Sequence, residues 1–210
     1  MSPTKPLESP IRIHGFPLSG HSHRVKLFAS LAGIPHEDVL VDLAKGEQKT
    51  DAFLRLNPAG QVPVIEDGAV SVADSNSIMV YLAQRYAPEF YPSEVVSDIQ
   101  RFLTLASGEL AFGPAAARLI NVFGAELNRE FCEQVSERLF TKLETHLEGR
   151  QFLVSERPTI ADVALYSYAA HAPEGGVSLA PYANVRRWLS NIEHLDGFVS
   201  MPATKVGLAA

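Results

Sequence analysis

The chain has 210 residues, of which 46% are hydrophobic, and this is enough apolar material for one buried core or two small ones. Its formal net charge of −6 and the lack of a long basic run make nucleic acid an unexpected partner. The single cysteine, Cys132, excludes an internal disulfide framework, and no two histidines have the i, i+4 spacing of a helical metal site, so we expect no metal.

The first 86 residues switch between short apolar runs and amphipathic stretches, which indicates alternating strands and helices. Alternation over residues 11–14 predicts a strand. Apolar residues at helical spacing then predict a helix from about His23, ended by Gly33. Residues 39–42 predict a second strand, and residues 50–56 a short helix that ends before a proline.

The same region closes with a hairpin and a helix. Two short apolar runs, 62–66 and 70–73, flank an Asp-Gly turn and predict antiparallel strands. Helical spacing over residues 75–86 predicts the final helix. The order βαβα-ββα begins with a parallel crossover and ends with a hairpin, so a mixed four-stranded sheet is expected.

A change of pattern follows at residue 87, where Pro88 and Pro92 indicate a linker over residues 87–94. Everything after it has helical periodicity, so we expect one domain over 1–86 and an all-α domain over 95–210. Two apolar stripes should form the helical core: Val95, Ile99, Phe102, Leu103, Ala106 and Leu110 in one, and Phe131, Val135, Leu139, Leu143 and Leu147 in the other.

The sequence Pro-Thr-Ile-Ala-Asp at 158–162 predicts a helix start in that second domain. Thr159 can cap the helix, and Asp162 at the third helical position can accept from the Thr159 backbone N–H. Asp162 could be mistaken for an active-site acid, but capping alone explains the spacing, so we expect a structural role.

The composition also predicts that the protein is located in the cytoplasm. No stretch approaches the roughly 18 uninterrupted apolar residues of a membrane span. The start, MSPTKPLESP, has no apolar segment like that of a secretion signal. A lone cysteine fits a reducing compartment.

Four motifs in order carry a family resemblance. They are Pro17-Leu18-Ser19 after the first strand, Asn-Pro-Ala-Gly-Gln-Val-Pro at 57–63, Asp74-Ser75 at the third helix, and the cap at 159–162. With this order of elements, the chain resembles the cytosolic glutathione transferase family over essentially its whole length. The resemblance implies a thioredoxin-like N-terminal domain that binds glutathione, a helical domain that forms the electrophile site, and a homodimer.

The resemblance assigns the cysteinyl part of glutathione to Val62 and Pro63. It implies a cis bond before Pro63, which leaves the Val62 backbone groups to pair with the peptide as an added strand. The alternative is an ordinary edge-strand proline. Lys49 matches a basic position that holds the glycyl carboxylate in plant-type relatives, although alone it would be a solvated charge. Gln48 and Gln61 stand where further polar contacts are expected.

Asp74 and Ser75 are assigned to the γ-glutamyl end. The start of a helix offers N–H groups and a positive dipole end that attract a carboxylate, and the Ser75 hydroxyl adds a donor. Asp74 could face the α-ammonium, although many relatives carry the longer Glu there. An ordinary N-cap is compatible with the same residues.

Family members activate the thiol with Tyr, Ser or Cys near the first helix. The first tyrosine here is Tyr81 and the only cysteine is Cys132, so serine remains. Ser19 has the spacing of the phi and theta classes and is the expected catalytic residue. Ser22 is expected to cap the helix, and His21 could be a donor or general base; both stay open as alternatives.

The expected activity is therefore attack of glutathione thiolate on a small hydrophobic electrophile. Glutathione-dependent isomerisation or peroxide reduction would use the same thiolate, and a non-catalytic glutathione- or ligand-binding regulatory protein could share the fold. The electrophile is not specified by the sequence. Phe112, Phe123 and Tyr168 could line its site or belong to the core, and Glu109 and Arg118 could face it.

Overall fold

The structure, a computed structural model, describes residues 9–206. The chain divides into two compact units. The first contains the described residues up to Ser93 together with Asp196–Met201, and the second contains Glu94–Leu195 and the described residues from Pro202. Residues 1–8, which include most of the segment considered for a secretion signal, lie outside the described residues, as do the outer limits of the two predicted domains.

The first unit is a mixed sheet with three helices. Its elements are β1 (Ile11–Gly15), α1 (Gly20–Leu31), β2 (His36–Leu40), α2 (Asp51–Leu56), β3 (Val64–Asp67), β4 (Val70–Ala73) and α3 (Ser75–Tyr86). The strand order is β2-β1-β3-β4, in which β1 pairs parallel with β2 and antiparallel with β3, and β3 pairs antiparallel with β4. The predicted four-stranded mixed sheet is confirmed.

Apolar residues at the predicted spacings form the core of this unit. Ile13 of β1 pairs with Ile65 of β3, and both are buried. The apolar residues behind the helical spacing of α3 are fully buried; they are Ile78, Met79, Leu82 and Ala83. Each large side chain of this kind contributes about 1.5–3 kcal/mol relative to exposure. Phe53 of α2 packs in a separate cluster with Val41 and Val64.

Two elements begin earlier than predicted. β2 covers His36–Leu40 instead of residues 39–42, because it is an edge strand with mostly polar, exposed residues and so lacks an apolar run. α1 begins at Gly20 instead of about His23, because its first residues are small or polar while the apolar stripe starts only at Val25.

The second unit is helical. Its helices are α4 (Val96–Ser107), α5 (Ala116–Phe123), α6 (Arg129–His146), α7 (Ile160–Ala170) and α8 (Ala183–Glu193), with a π-helical turn at Ala111–Ala115 between α4 and α5. Short 3₁₀ turns at Pro88–Phe90 and Ser93–Val95 occupy the predicted linker. The fold prediction of an α/β N-terminal part followed by an all-α part is confirmed.

The two predicted core stripes are buried with two exceptions, Val95 and Phe131. Val95 is half-buried. Phe131 is 52% exposed because it lies in the first turn of α6, before that helix enters the core.

The helix start at 159–162 has the predicted capping box. Thr159 caps α7, and the Asp162 carboxylate accepts from the Thr159 backbone N–H at 2.8 Å. Asp162 also accepts from the Leu153 N–H at 2.8 Å and from Trp188 Nε1 at 3.0 Å. The carboxylate is completely buried, so its role is structural, as predicted.

Candidate glutathione site

The loop after β1 places Ser19 at the start of α1. Ser19 is the N-cap of that helix, and its Oγ accepts a hydrogen bond from the Ser22 backbone N–H at 3.3 Å. The expectation that Ser22 caps the helix is therefore wrong. Ser22 lies inside the first turn, where its own Oγ accepts from the Phe16 N–H at 3.2 Å and ties down the preceding loop.

The capping contact leaves Ser19 able to donate. A hydroxyl has two acceptor lone pairs and one hydrogen, and the cap uses only a lone pair. Ser19 also lies at the positive end of the dipole of a twelve-residue helix, which favours a nearby anion. The residue can therefore cap α1 and stabilise an anion at the same time.

A second part of the site lies just before β3. The Val62–Pro63 peptide bond is cis, as the resemblance implied. Val62 precedes the ladder, whose first pair on β3 is Val64 with Ala73. Asn57 organises the preceding loop, because its side chain donates to the Gln61 carbonyl at 2.8 Å and accepts from the Ala59 N–H at 3.1 Å.

Lys49 and Gln48 lie against the same loop, on the 3₁₀ turn Glu47–Lys49. A Cβ atom at Gly60 would lie 2.8 Å from Lys49 Nζ and 2.9 Å from the Gln48 carbonyl, so only glycine permits this approach. The Gln48 side-chain Oε1 is buried and accepts no hydrogen bond from the described residues. Lys49 and Gln48 therefore lie against Gly60, which precedes Gln61 and Val62 in the chain.

The third part is the start of α3. Asp74 is the N-cap: its carboxylate accepts from the Ser77 N–H at 2.9 Å, and its carbonyl accepts from the Ile78 N–H at 2.8 Å. Ser75, the first residue of the helix, is only 3% exposed, and its hydroxyl does not provide the cap. Of the two roles considered for Ser75, capping belongs to Asp74.

Two residues of α1 contact the Ser75 hydroxyl. His21 Nδ1 lies 3.3 Å from Ser75 Oγ, and Arg24 donates to the same oxygen at 3.4 Å. Burial, helped by the positive charge of Arg24 and opposed by Asp74, lowers the pKa of His21 to about 3. A ring with so low a pKa is too weakly basic to take a proton from a thiol at neutral pH, which disfavours His21 as the base that activates a thiol.

Comparison with known proteins decides the family. Residues 18–85 match the model of the glutathione S-transferase N-terminal domain, and residues 126–196 match that of the C-terminal domain. Glutathione S-transferase T1 of Arabidopsis thaliana is 31% identical over 170 residues, which are 74% of this chain and 69% of that protein. The chain belongs to the glutathione S-transferase family.

Solved structures of other glutathione S-transferases have the same fold. A glutathione S-transferase from Pseudomonas fluorescens superposes with a TM-score of 0.87 at 28% identity, covering 93% of this chain and 100% of that one. A glutathione transferase homolog from Drosophila mojavensis, solved with bound glutathione, superposes with a TM-score of 0.79 at 25% identity, covering 89% and 88%. This transferase is therefore an enzyme of the family whose co-substrate is glutathione.

The helical unit of the transferase holds the residues considered for the electrophile. Phe112 and Phe123 are exposed, at 61% and 47%, whereas Tyr168 is buried. Arg118, which could have faced the electrophile site, is instead 1% exposed and forms an ion pair with Glu174, which is buried as well. Glu109 accepts from Arg138 at 3.0 Å and from Lys142 at 2.8 Å.

Two features of the transferase bear on other functions. Cys132 is 2% exposed in α6, and burial raises the pKa of its thiol, so it is an unreactive packed residue. No helix within residues 9–206 is long and apolar enough to cross a membrane.

Arg24 contacts the candidate site and was not predicted from the sequence. The available signal was a charged residue directly before the apolar stripe of α1. In the structure α1 buries this side chain to 1% exposure. Because removing a charge from water costs free energy, a fully buried arginine indicates a specific structural or functional role.

Proposed function

We propose that the enzyme is a serine-type glutathione transferase in which Ser19 donates a hydrogen bond to the glutathione thiolate, which then attacks a small hydrophobic electrophile. The observation that carries the proposal is the position of Ser19 as the N-cap of α1. There the hydroxyl accepts from the helix through a lone pair and keeps its hydrogen for the sulfur.

The energetics of one such hydrogen bond are of the right size. A free cysteine thiol has a pKa of about 8.5, and each unit by which that pKa is lowered corresponds to about 1.4 kcal/mol of preferential thiolate binding. A hydrogen bond to a charged group is worth roughly 1.5–3 kcal/mol, which corresponds to one to two units. The dipole of α1 acts in the same direction.

The remaining contacts extend along glutathione. The Val62 backbone pairs with the cysteinyl residue next to Pro63. Lys49, Gln48 and Gln61 bind the glycyl end. Ser75 and the first N–H groups of α3 bind the γ-glutamyl carboxylate. Support for this arrangement is that Lys49 and Gln48 reach the loop before Val62, and that Ser75 is not used as a cap.

Asp74 is proposed to face the α-ammonium of the γ-glutamyl group. Its Oδ1 accepts from the Ser77 N–H, and a carboxylate has a second oxygen that can accept as well. The functional enzyme is proposed to be a homodimer.

The test is glutathione binding followed by a conjugation screen. Thermal melts should rise with glutathione concentration, because a ligand that binds the native state adds RT ln(1 + [L]/Kd) to its stability. Glutathione consumption is then measured with halonitroarenes, epoxides, isothiocyanates and organic peroxides. Conjugation of one of the first three supports the proposal. Binding without any turnover contradicts it and favours a ligand-binding protein, and turnover of peroxides alone favours a peroxidase.

A further inference from the structure

Arg24 joins α1 to the start of α3 inside the first unit. Its Nη1 donates to Ser75 Oγ at 3.4 Å and to Asn76 Oδ1 at 3.2 Å, so one nitrogen contacts the first two residues of α3. The side chain is 1% exposed. Because a guanidinium stays protonated under all ordinary conditions, this is a permanent buried positive charge at the N-terminal end of a twelve-residue helix.

The contact with Arg24 determines how Ser75 uses its hydrogen. A guanidinium has donors only, so Ser75 Oγ must be the acceptor in that pair. The serine hydrogen is then directed to a different acceptor. Among the described residues His21 Nδ1 lies 3.3 Å from the hydroxyl; the low pKa of His21 leaves its ring neutral, so Nδ1 accepts the serine hydrogen in the tautomer that carries its ring proton on Nε2.

A bound carboxylate would compete with His21 for that hydrogen. A hydrogen bond to an anion is roughly twice as strong as one between neutral groups, so the hydroxyl would turn from the imidazole to the carboxylate. Donation from Arg24 also polarises the hydroxyl and strengthens it as a donor. His21 thus holds the hydroxyl in place when the site is empty, and Arg24 strengthens the hydrogen bond from the hydroxyl to the carboxylate when the site is filled.

The charges around Ser75 match a zwitterion. Arg24 and the dipole of α3 supply positive potential on the buried side, and Asp74 supplies a negative charge on the exposed side. An amino-acid group carries one carboxylate and one ammonium, which require opposite charges close together.

We propose that Arg24 is a positioning residue that makes the enzyme specific for the α-carboxylate at the γ-glutamyl end of its thiol substrate, acting through the hydroxyl of Ser75. The inference rests on the proposed glutathione site. It explains why that site would bind a group that carries both an α-carboxylate and an α-ammonium in preference to one that carries only an amine or an amide.

The experiment compares two ligands on four proteins. The ligands are glutathione and its analogue in which 4-aminobutanoate replaces γ-glutamate, so that only the α-carboxylate is missing. The proteins are the wild type, Arg24→Gln, Arg24→Lys and the control Arg55→Gln, which removes a positive charge from an exposed position on α2. Dissociation constants are measured by calorimetry, and urea denaturation checks that each variant is folded.

The wild type should bind glutathione at least tenfold more tightly than the analogue. Arg24→Gln should lose about ten- to hundredfold in affinity for glutathione, because it removes the charged donor that strengthens the bond from Ser75 to the α-carboxylate. Its affinity for the analogue, which has no α-carboxylate, should change little. Arg24→Lys keeps a charge, but its nitrogen lies one bond closer to the main chain than Nη1, so contacts that are already 3.4 Å and 3.2 Å long should be lost and its preference should fall at least threefold. Arg55→Gln should keep the wild-type preference. In turnover, Arg24→Gln should raise KM for glutathione and leave kcat nearly unchanged.

Equal losses for both ligands in Arg24→Gln would overturn the inference, because Arg24 would then only hold the unit together. If that variant does not fold, a folded Arg24→Lys with an unchanged preference would overturn it equally well. A wild type that binds neither ligand would instead refute the proposed function. A wild type that binds both ligands with the same affinity would leave glutathione binding intact and refute only the role of Arg24.

Discussion

Substitution of Ser19 separates its two roles, because alanine and glycine differ as helix caps. Ser19→Ala removes the acceptor for the Ser22 N–H and should lower the free energy of unfolding by about 1 kcal/mol. Ser19→Gly should lower the free energy of unfolding by only about a few tenths of a kcal/mol, since glycine is tolerated at an N-cap. Both variants remove the hydrogen-bond donor, so both should lower kcat/KM at neutral pH by roughly ten- to hundredfold, at about 1.4 kcal/mol per decade.

Ser22→Ala is the matched control, since it removes the neighbouring hydroxyl. It loses the contact from the Phe16 N–H and should cost about 0.5–1.5 kcal/mol of stability while leaving kcat/KM close to the wild-type value. The assay pairs urea denaturation with steady-state conjugation at saturating electrophile. A Ser19→Gly variant with full activity would refute the assignment of Ser19, and loss of activity in Ser22→Ala alone would transfer the role to Ser22.

Three further predictions concern the rest of the account. Ser75→Ala should weaken glutathione binding about tenfold by removing the carboxylate donor, and an unchanged dissociation constant in calorimetry would reject that contact. The depressed pKa of His21 means that the unfolded chain binds a proton between roughly pH 6.5 and pH 3 that the folded chain does not, so stability falls as pH drops through that range. His21→Asn should therefore show a shallower fall in urea midpoints there, and equal slopes would contradict the buried neutral histidine. Sedimentation at micromolar concentration should give twice the mass of one chain, and a species of 22.9 kDa would overturn the homodimer.

The sequence allowed prediction where structure depends on local pattern. The capping box of Thr159 and Asp162 needs two residues three apart, and it was predicted correctly. The buried face of α3 follows from helical periodicity alone. β2 was misplaced because an edge strand of polar residues has no such pattern.

Contacts between distant positions could not be predicted. Arg24 and Ser75 are 51 positions apart, and Arg118 and Glu174 are 56 apart, so nothing in their local sequence reveals the pairing. Ser19 and Ser22 are close in sequence, yet their roles as cap and loop anchor depend on where α1 begins, and apolar spacing placed that start too late.

The most direct test of the account is the pKa of the glutathione thiol when it is bound to the wild-type enzyme. It is measured from thiolate absorbance against pH, with free glutathione in the same buffer as the reference. We expect the pKa of the bound thiol to be one to two units lower, as one hydrogen bond to the anion from Ser19 requires. A bound thiol that titrates at the same pH as free glutathione would contradict thiolate stabilisation by this enzyme.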